Sequence, residues 1–447
     1  MQELNSVGTS IQRRDGDGHI KGQTQYVDDY QFQDLKHLHC VRSPVPYADI
    51  DGIDFSAAEE VDGFVDYLTH EDVANNHYTI LRLVGIGPDE EPLLAEDRVR
   101  YMGEPIAAII ADSKEAAMEA ASKVELDLTE LEPVFDVEEA LDSDEPPLKE
   151  WGTNYFEFEG GHECRRVRRG DVDEAFEAAD YIVEGEYQTS PIEQAPTETT
   201  SATAKPEPDG RFTVHTNTQA LYFSLDNTAI TLDIPFEKLQ FKGGTVGGGF
   251  GGKVDVIVEQ LATLAAKKTG YPVRYKFTRE EEMKVSSPRG AWRMYYKDGV
   301  TEDGEIIARE VTSYADAGAY NRHTPYAVTK HAANLAGPYD IPNAKFDCYC
   351  VYTNKQPSSA MRGFGVTPCS FAIEGQMDKI ADTLDMDKWE VRFKNAYRDG
   401  DIKPHHKEVE DASLIECMQS TADMIGKELP EEFTQMSSTK PREESDV

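Results

Sequence analysis

Positive charge is scarce in this sequence, and long hydrophobic runs are absent from it. Its 447 residues include 45 lysines and arginines against 84 aspartates and glutamates, which gives a formal net charge of −39. Nucleic-acid binding is therefore not expected, because phosphate binding requires a basic surface. No stretch of about 18 apolar residues occurs, so no segment is predicted to span a membrane. The first residues lack the basic and apolar regions of a signal peptide, and we expect cytoplasmic localisation.

The acidic excess is spread along the whole chain and is not held in one tail. A compact domain with this charge repels itself at low salt. Molar salt removes most of that repulsion, because the Debye length falls to about 3 Å at 1 M. We interpret the acidity as adaptation to a salty, halophilic cytoplasm. Attraction of a cationic substrate is the poorer interpretation, because no segment concentrates the charge.

The six cysteines form no metal-binding pattern. The sequence has no C-x-x-C pair and no closely spaced set of four cysteines, so neither a zinc site nor an iron–sulfur cluster is indicated in this chain. Cys348 and Cys350 lie in an apolar run that predicts a strand with both thiols on one face. We interpret them as small buried residues, kept reduced in a cytoplasmic protein.

The length predicts two or three domains, and the pattern of the first 145 residues predicts a mixture of strands and helices. The apolar run Pro105 to Ala111 predicts a strand covered on both faces, followed by a helix with Ser113 as its N-cap. The acidic, proline-containing stretch 142–152 predicts a domain boundary, and a frayed polar tail is expected from about residue 428. Further strands are predicted near 181–188, 200–204 and 212–216, with helices at 256–267 and 371–384.

A glycine-rich loop, Gly247 to Lys253, is the clearest local motif. Two familiar interpretations match it poorly. A dinucleotide-binding loop needs an acidic residue about 20 positions later, whereas Asp255 is too near and Glu259 lies within the predicted helix. A phosphate-binding loop needs Ser or Thr after the lysine, where this sequence has Val254. A nucleotide-dependent phosphotransferase is retained only as an alternative, which predicts magnesium-dependent ATP binding.

The glycines allow the backbone of this loop to approach a ligand closely and to present N–H groups to it. Phe250 alone interrupts them. A large aromatic residue at this position either plugs a hydrophobic core or forms the wall of an active site, and local evidence leaves both open.

The loop resembles the G-G-G-F-G-G/N-K motif of the molybdenum-binding subunit of the xanthine dehydrogenase and aldehyde oxidase family. The similarity extends in order over about residues 5 to 425 and is strongest to the separate-subunit bacterial xanthine dehydrogenases. The matching stretches are residues 14–16, 22–29, 41–44, 94–105, 170–180, 218–219, 359–365 and 387–395.

This resemblance implies an α+β chain with a hammerhead-like α/β domain at 1–145 and the first molybdopterin cofactor-binding domain at 146–410. Residues 411–447 would be the truncated start of a second cofactor domain and a polar tail. The implied reaction is hydroxylation of an aldehyde or an N-heterocycle, with water as the oxygen source. Electrons would pass from a molybdenum–molybdopterin cofactor, its cytosine dinucleotide form being one option, to Fe–S and FAD groups on partner subunits.

The resemblance also implies roles for individual residues. Gln219 would hydrogen-bond an oxygen ligand of molybdenum, and Phe250 and Arg362 would lie beside the metal. The remaining cofactor-binding positions implied in this way are Gly248, Gly249, Gly251, Gly363 and Phe364.

Each of these roles has a simpler alternative. Gln219 could merely satisfy backbone groups at the end of a strand, and Arg362 could anchor a salt bridge. Glu198 is as compatible with a solvent-facing position as with the cofactor region.

Two departures from the family pattern limit the implied activity. Purine-oxidising members carry a substrate-orienting glutamate directly after the loop lysine, where this sequence has the apolar Val254. Aldehydes and other heterocycles are therefore at least as plausible as xanthine. Family members also continue for several hundred residues, and that part holds the glutamate that acts as general base.

No residue of this chain can be assigned to that base. We expect a multi-subunit complex in which another chain carries the second molybdopterin-binding domain, together with a [2Fe–2S] subunit and an FAD subunit. The alternative is an inactive, truncated scaffold fragment that binds no cofactor.

Overall fold

Two large β-sheets, each covered by helices, organise the chain. The computed structural model describes residues 7–142, 152–255 and 258–439. The strands are β1 (Lys36–Arg42), β2 (Ala48–Asp54), β3 (Phe64–Leu68), β4 (His77–Tyr78), β5 (Glu91–Pro92), β6 (Arg98–Val99), β7 (Pro105–Ala111), β8 (Glu125–Glu130), β9 (Cys164–Arg169), β10 (Tyr181–Thr189), β11 (Ser201–Pro206), β12 (Phe212–Thr216), β13 (Leu239–Gly243), β14 (Val273–Lys276), β15 (Trp292–Val300), β16 (Ile306–Gly318) and β17 (Asn343–Tyr352).

The helices connect and cover these strands. They are α1 (Gly16–Ile20), α2 (Ser56–Glu59), α3 (Lys114–Ser122), α4 (Val137–Asp142), α5 (Val172–Ala178), α6 (Leu221–Thr231), α7 (Val258–Thr269), α8 (Arg279–Val285), α9 (Thr324–Asn334), α10 (Val366–Leu384), α11 (Lys388–Asn395), α12 (Leu414–Ile425) and α13 (Glu431–Thr434). Among the described residues, no helix is both long and apolar enough to cross a lipid bilayer. The predicted elements are confirmed within a few residues, except that α10 begins at Val366 and not at 371.

The seven-stranded sheet combines strands from both sides of the predicted domain boundary, in the order β13-β12-β11-β14-β1-β7-β3. Strand β1 pairs in parallel with β14 and antiparallel with β7. The two parts of the chain are therefore joined through one continuous hydrogen-bonded sheet. Most of the predicted boundary, residues 143–151, lies outside the described residues, and the proposed division at 145 stays a prediction.

Strand β7 is apolar at successive positions because both of its faces are buried. Ala107 and Ile109 face a core that includes residues of α3, whereas Ala108 and Ile110 face a second core that contains α7. The strand is thus covered on both sides, as predicted. The predicted N-cap is also confirmed, since Ser113 Oγ accepts a hydrogen bond from the N–H of Ala116 at 3.1 Å.

The five-stranded sheet has the order β10-β15-β16-β17-β9, and helices α9 and α10 cover one of its faces. Cys348 and Cys350 are fully buried in β17 and belong to the core beneath these helices, which confirms their predicted role. This core brings α10 against the sheet, so the loop before α10 is held at one end of the sheet.

The expected frayed tail is wrong for the described part of that segment. Helix α13 places Phe433 against Phe393 of α11, with ring centroids 4.9 Å apart, and Phe433 is only 2% exposed. Phe433 docks this stretch together with the partly buried Leu429 and Met436, and a buried phenylalanine gains about 1.5–3 kcal/mol from the removal of its surface from water. Residues 440–447 lie outside the described residues.

The five-stranded sheet also contains a completely buried ion pair. Arg309 of β16 donates to Asp298 of the neighbouring β15 through Nε, at 2.7 Å, and through Nη2, at 3.1 Å. Both side chains have no solvent exposure. Loss of one partner would leave the other charge unpaired in the core.

We predict that Arg309→Met lowers the free energy of unfolding by about 3–5 kcal/mol, because it leaves the Asp298 carboxylate buried without a charge partner. Lys345→Met is the matched control, since Lys345 pairs with Glu310 at 2.6 Å on the solvated face of the same sheet. That exposed pair should contribute less than about 1 kcal/mol. Urea unfolding at high salt measures both, and equal effects would contradict the prediction.

Candidate cofactor site

Two glycine-rich loops contact each other, one after a strand of the seven-stranded sheet and one before a helix that packs on the five-stranded sheet. The first glycine loop, residues 247–253, lies between β13 and α7, and the second glycine loop, residues 359–365, precedes α10. The N–H of Arg362 donates to the carbonyl oxygen of Phe250 at 2.8 Å. Gly251 has a φ of 103°, and a Cβ atom there would lie 2.6 Å from the carbonyl oxygen of Ala360. The close approach of the two backbones therefore requires glycine at position 251.

Gln219 lies in the connection between β12 and α6, against the first glycine loop. Its Oε1 accepts hydrogen bonds from the N–H groups of Gly251, at 3.0 Å, and Lys253, at 3.3 Å. Its own N–H donates to the carbonyl oxygen of Lys253 at 2.7 Å. These bonds orient the amide and leave the Nε2 group without a partner in the described chain. Gln219 thus satisfies backbone groups and also offers a donor to a ligand.

The backbone of the first glycine loop offers more donors. Gly248 and Phe250 both have left-handed backbone conformations, with φ values of 98° and 53°. The N–H groups of Gly248, Gly249 and Phe250 donate to no acceptor among the residues that the structure describes. Successive free N–H groups in such a turn form a concave site for an anion. A Cβ atom at Gly249 would lie 2.3 Å from Gln219 Oε1, so glycine there allows Gln219 to keep its position against the loop.

The side chain of Phe250 is 50% exposed. The alternative in which it plugs a hydrophobic core is therefore wrong. Its carbonyl group is held by Arg362, so the ring stands at the junction of the two loops. This position suits an aromatic wall for a ligand bound at the junction.

Glu198 and Lys253 clamp the first glycine loop from its buried side. Lys253 is 2% exposed, and its Nζ lies 3.2 Å from Glu198 Oε2. The same carboxylate oxygen accepts a hydrogen bond from the N–H of Gly247 at 2.7 Å. Burial lowers the pKa of Lys253, and Glu198 partly opposes this shift. Because the lysine is committed to Glu198, the loop lacks the free ammonium group that a nucleotide phosphate would need.

Arg362 and Arg289 give the second glycine loop its positive charge. Arg362 is exposed, and its guanidinium forms no ion pair with any described residue, so the salt-bridge alternative is not supported. Arg289 is buried below the loop, where it donates to the carbonyl oxygens of Arg362 and Gly363. Burial lowers the pKa of Arg289. Helix α10 starts at Val366, so the positive end of its dipole points toward the loop.

Phe364 and His331 hold the end of the second glycine loop. The half-buried ring of Phe364 packs against Tyr326 of α9, with centroids 5.7 Å apart. His331, also on α9, is fully buried and stacks on Trp292. Its Nδ1 lies 3.0 Å from the carbonyl oxygen of Gly365, and burial lowers its pKa to about 4. The ring is therefore neutral at pH 7 and donates to the loop through Nδ1–H.

The sequence-predicted site residues thus fall on one junction, and the structure adds supporting residues that the sequence did not indicate. Arg289 and His331 are far from the motifs in sequence and carry no spacing that marks them. Asp255 lies two residues after the first glycine loop, and the sequence indicated it only as a poor match to the acidic residue of a dinucleotide-binding loop. Among the described residues, no group of three or more His, Cys, Asp or Glu side chains could hold a metal ion.

Two family models match the chain. The model described as molybdopterin cofactor-binding domain matches residues 155–396. The model described as aldehyde oxidase and xanthine dehydrogenase, a/b hammerhead domain, matches residues 21–132. The predicted fold class, a hammerhead domain followed by a molybdopterin-binding domain, is therefore confirmed.

Similar proteins differ in how much of their length the chain covers. It is 34% identical to the nicotinate dehydrogenase large molybdopterin subunit of Eubacterium barkeri, over 85% of this chain and 87% of that one. It is 33% identical to a probable xanthine dehydrogenase subunit of Bacillus subtilis, over 88% of this chain and 51% of that one. Among solved structures, aldehyde oxidoreductase from Desulfovibrio gigas has a TM-score of 0.86 and 29% identity, over 94% of this chain and 47% of that one. The chain thus spans about half of the last two proteins.

We predict that Gly251→Ala destabilises the protein more than Gly270→Ala. Both glycines have positive φ, 103° and 76°, so both substitutions carry the left-handed penalty of about 1–2 kcal/mol. Only at Gly251 would the new methyl group meet a backbone carbonyl, whereas Gly270 has open space. Urea unfolding should therefore show an additional loss of at least about 1 kcal/mol for Gly251→Ala. Equal losses would mean that the two loops can separate freely.

We also predict that His331 makes the free energy of unfolding depend on pH. Because the pKa of His331 is about 4 in the folded state and about 6.5 in the unfolded state, the unfolded state binds the proton first as the pH falls. The wild-type free energy of unfolding should therefore decrease between about pH 6.5 and pH 4, by about 3 kcal/mol from this group. His331→Asn keeps a donor near the Nδ1 position but does not titrate, and it should lack this component. Urea unfolding from pH 7 to pH 4 compares the two proteins, and parallel pH profiles would contradict the assignment.

Proposed function

The chain belongs to the family of molybdopterin-binding hydroxylases that includes the xanthine dehydrogenases and aldehyde oxidases, and from this premise we propose that it forms one half of a molybdenum site. The family resemblance predicted from the sequence is confirmed over most of the chain. Members of this family are oxidoreductases. The proposed reaction is hydroxylation of an aldehyde or an N-heterocycle with oxygen from water. The observation that carries the proposal is the convergence of hydrogen-bond donors, unpartnered within the described chain, at the junction of the two glycine loops.

The residues at this junction fit the cofactor. Gln219 Nε2, the N–H groups of Gly248 to Phe250 and the Arg362 guanidinium are all donors without partners in the described chain. The phosphate and the metal-bound oxygens of a molybdopterin cofactor are acceptors. When bound, the cofactor supplies oxygen transfer and two-electron redox chemistry. This chain would supply its binding and orientation.

Each residue has a distinct proposed task. The Gln219 amide, oriented by the first glycine loop, would donate to an oxygen of the cofactor. The N–H groups of the loop would bind its anionic groups, and Arg362 would add positive charge from the second glycine loop. The half-exposed Phe250 ring would form an apolar wall at the junction, against which the cofactor or substrate packs.

A separate chain is proposed to complete the site. Two carboxylates beside the first glycine loop are already engaged, since Glu198 pairs with Lys253 and Asp255 with Arg322. We therefore place the general base on a polypeptide with the second molybdopterin-binding domain. A relative of similar length is named a large molybdopterin subunit, which supports the division into separate subunits. Exposed aromatic side chains around the loops suit such a partner: Tyr222 is 75% exposed, Phe250 50% and Phe371 56%.

The proposed substrate class rests on the residue at position 254 and on the name of one similar protein. Val254 places an apolar side chain where a carboxylate would be needed to hydrogen-bond a purine. The similar Eubacterium protein is named for nicotinate, an N-heterocycle. An N-heterocycle or an aldehyde is therefore proposed ahead of xanthine.

The electron-transfer partners and the form of the pterin are proposed from the pattern of the family. Electrons would leave through a [2Fe–2S] subunit and an FAD subunit, and the pterin could be the cytosine dinucleotide form. The complex would work in a cytoplasm of high salt, because the net charge of −39 requires screening.

Metal content of the native complex tests the proposal. The complex would be purified from its host at high salt, and molybdenum per chain would be measured by mass spectrometry. About one metal per chain, with a second molybdopterin polypeptide co-purifying, is expected. A chain isolated alone and without molybdenum would favour the inactive scaffold, and magnesium-dependent ATP binding would favour the phosphotransferase.

We further predict that Gln219→Ala and Arg362→Ala each lower turnover of the assembled complex by about 10–100-fold, because each removes a group that orients the cofactor. Glu71→Gln, an exposed change in the first domain, is the control. Turnover and molybdenum content would be measured together. Unchanged rates at full metal loading would refute both site assignments.

A further inference from the structure

A short segment, residues 320–323, connects β16 to α9. It is held by the hammerhead domain, residues 21–132, which is called the first domain below. Three successive residues of the segment each contact a different buried carboxylate of that domain. Tyr320 Oη donates to Glu104 Oε1 at 2.5 Å, the Asn321 N–H to Glu90 Oε1 at 2.7 Å, and Arg322 Nη2 to Glu91 Oε1 at 2.6 Å. The position of the segment is therefore set by residues more than 200 positions away in the sequence.

The last residue of the segment, His323, joins the two glycine loops. Its Nδ1 lies 3.0 Å from Asp255 Oδ1 and 3.0 Å from Ser359 Oγ. Asp255 follows the first glycine loop, and Ser359 is the first residue of the second. Ser359 Oγ also donates to Asp255 Oδ1 at 2.7 Å. One imidazole nitrogen thus closes a triangle between the end of one loop and the start of the other.

These three residue types also occur in hydrolytic triads, but the geometry here excludes that role. In such a triad the serine and the aspartate contact opposite nitrogens of the histidine, so that a proton can pass along the line. Here both contact Nδ1, and the hydroxyl of Ser359 already donates to Asp255. The arrangement holds backbone segments together and does not activate a nucleophile.

The triangle is tied to the first domain through Arg322. Its guanidinium bridges Glu91, at 2.6 Å, and Asp255, at 3.4 Å, and the arginine is only 4% exposed. The backbone of Arg322 has a φ of 28°, which is unfavourable for a residue with a Cβ atom. Such a conformation persists only where surrounding contacts impose it, and here it places Arg322 and His323 toward different partners.

We propose that His323 is a positioning residue that sets the spacing of the two glycine loops, and that the first domain holds it in place through Arg322 and Glu91. The inference rests on the proposed cofactor function of those loops. On this account the first domain is part of the support of the cofactor site, in addition to any surface it offers to partner subunits. Loss of Glu91 would leave Arg322 with Asp255 as its one ion-pair partner among the described residues and release the segment.

Three substitutions at His323 separate the role of Nδ1 from that of the rest of the ring. The amide nitrogen of Asn stands as many bonds from Cβ as Nδ1, whereas that of Gln corresponds to Nε2. Hydrogen exchange of residues 247–255 and 359–365 would be measured by mass spectrometry on the full chain at high salt. His323→Asn should keep exchange near the wild-type rate, and His323→Gln and His323→Leu should accelerate it about tenfold in both loops. Equal exchange in the Asn and Gln variants would overturn the proposal.

Glu91→Gln tests the link to the first domain, with Glu71→Gln as the exposed control in the same domain. Glu91→Gln should accelerate exchange in both glycine loops about tenfold, and the control should match the wild type. Wild-type exchange in Glu91→Gln would overturn the link. Circular dichroism verifies folding, and the mild Asn and Gln substitutions keep the test decisive if His323→Leu does not fold.

Molybdenum and pterin content of the same variants separates this inference from the proposed function. Retention of the cofactor should fall in His323→Gln and Glu91→Gln and recover in His323→Asn. If the wild-type complex holds no molybdenum, the proposed function fails, whereas the exchange rates still decide whether His323 positions the loops. If the cofactor is present and all variants retain it fully, the positioning role is overturned.

Discussion

The close approach of two backbones, at Gly251 against Ala360 and at Phe250 against Arg362, is the constraint on which the rest of the structure depends. A side chain at Gly251 would meet a carbonyl oxygen 2.6 Å away. Two polar backbone segments in contact must be held from outside, since neither forms regular structure with the other. Salt bridges, buried arginine and buried histidine provide that support from the surrounding elements.

The junction of the two glycine loops presents positive charge and hydrogen-bond donors, whereas the molecule as a whole is strongly negative. The protein carries a net charge of −39, yet the junction presents N–H groups, an amide donor and an exposed guanidinium. Arg289 adds a buried positive charge whose partners in the described chain are carbonyl groups. Salt screens the distant surface carboxylates, whereas groups within hydrogen-bond distance of a ligand are screened much less. A local site for anionic groups can therefore persist in an acidic protein.

Local patterns predicted much of the fold because local physics decides those features. The run Pro105–Ala111 and the Ser113 cap were predictable from burial and hydrogen bonding within a few residues. The tail was mispredicted because docking of Phe433 depends on Phe393, which lies 40 positions earlier. The sequence around Phe250 could not predict whether its ring is buried or exposed, since an aromatic residue between glycines can turn inward or outward.

The sequence by itself determined the family, the two glycine motifs and the residues that carry the proposed site, because these are short, ordered patterns of residue types. Only the tertiary structure decided that the two loops touch, that Lys253 is committed to Glu198, and that His323 closes the gap between the loops. It also decided that strands from both parts of the chain share one sheet. These features rest on contacts between residues tens to hundreds of positions apart, whose pairing is set by packing and hydrogen-bond satisfaction in three dimensions.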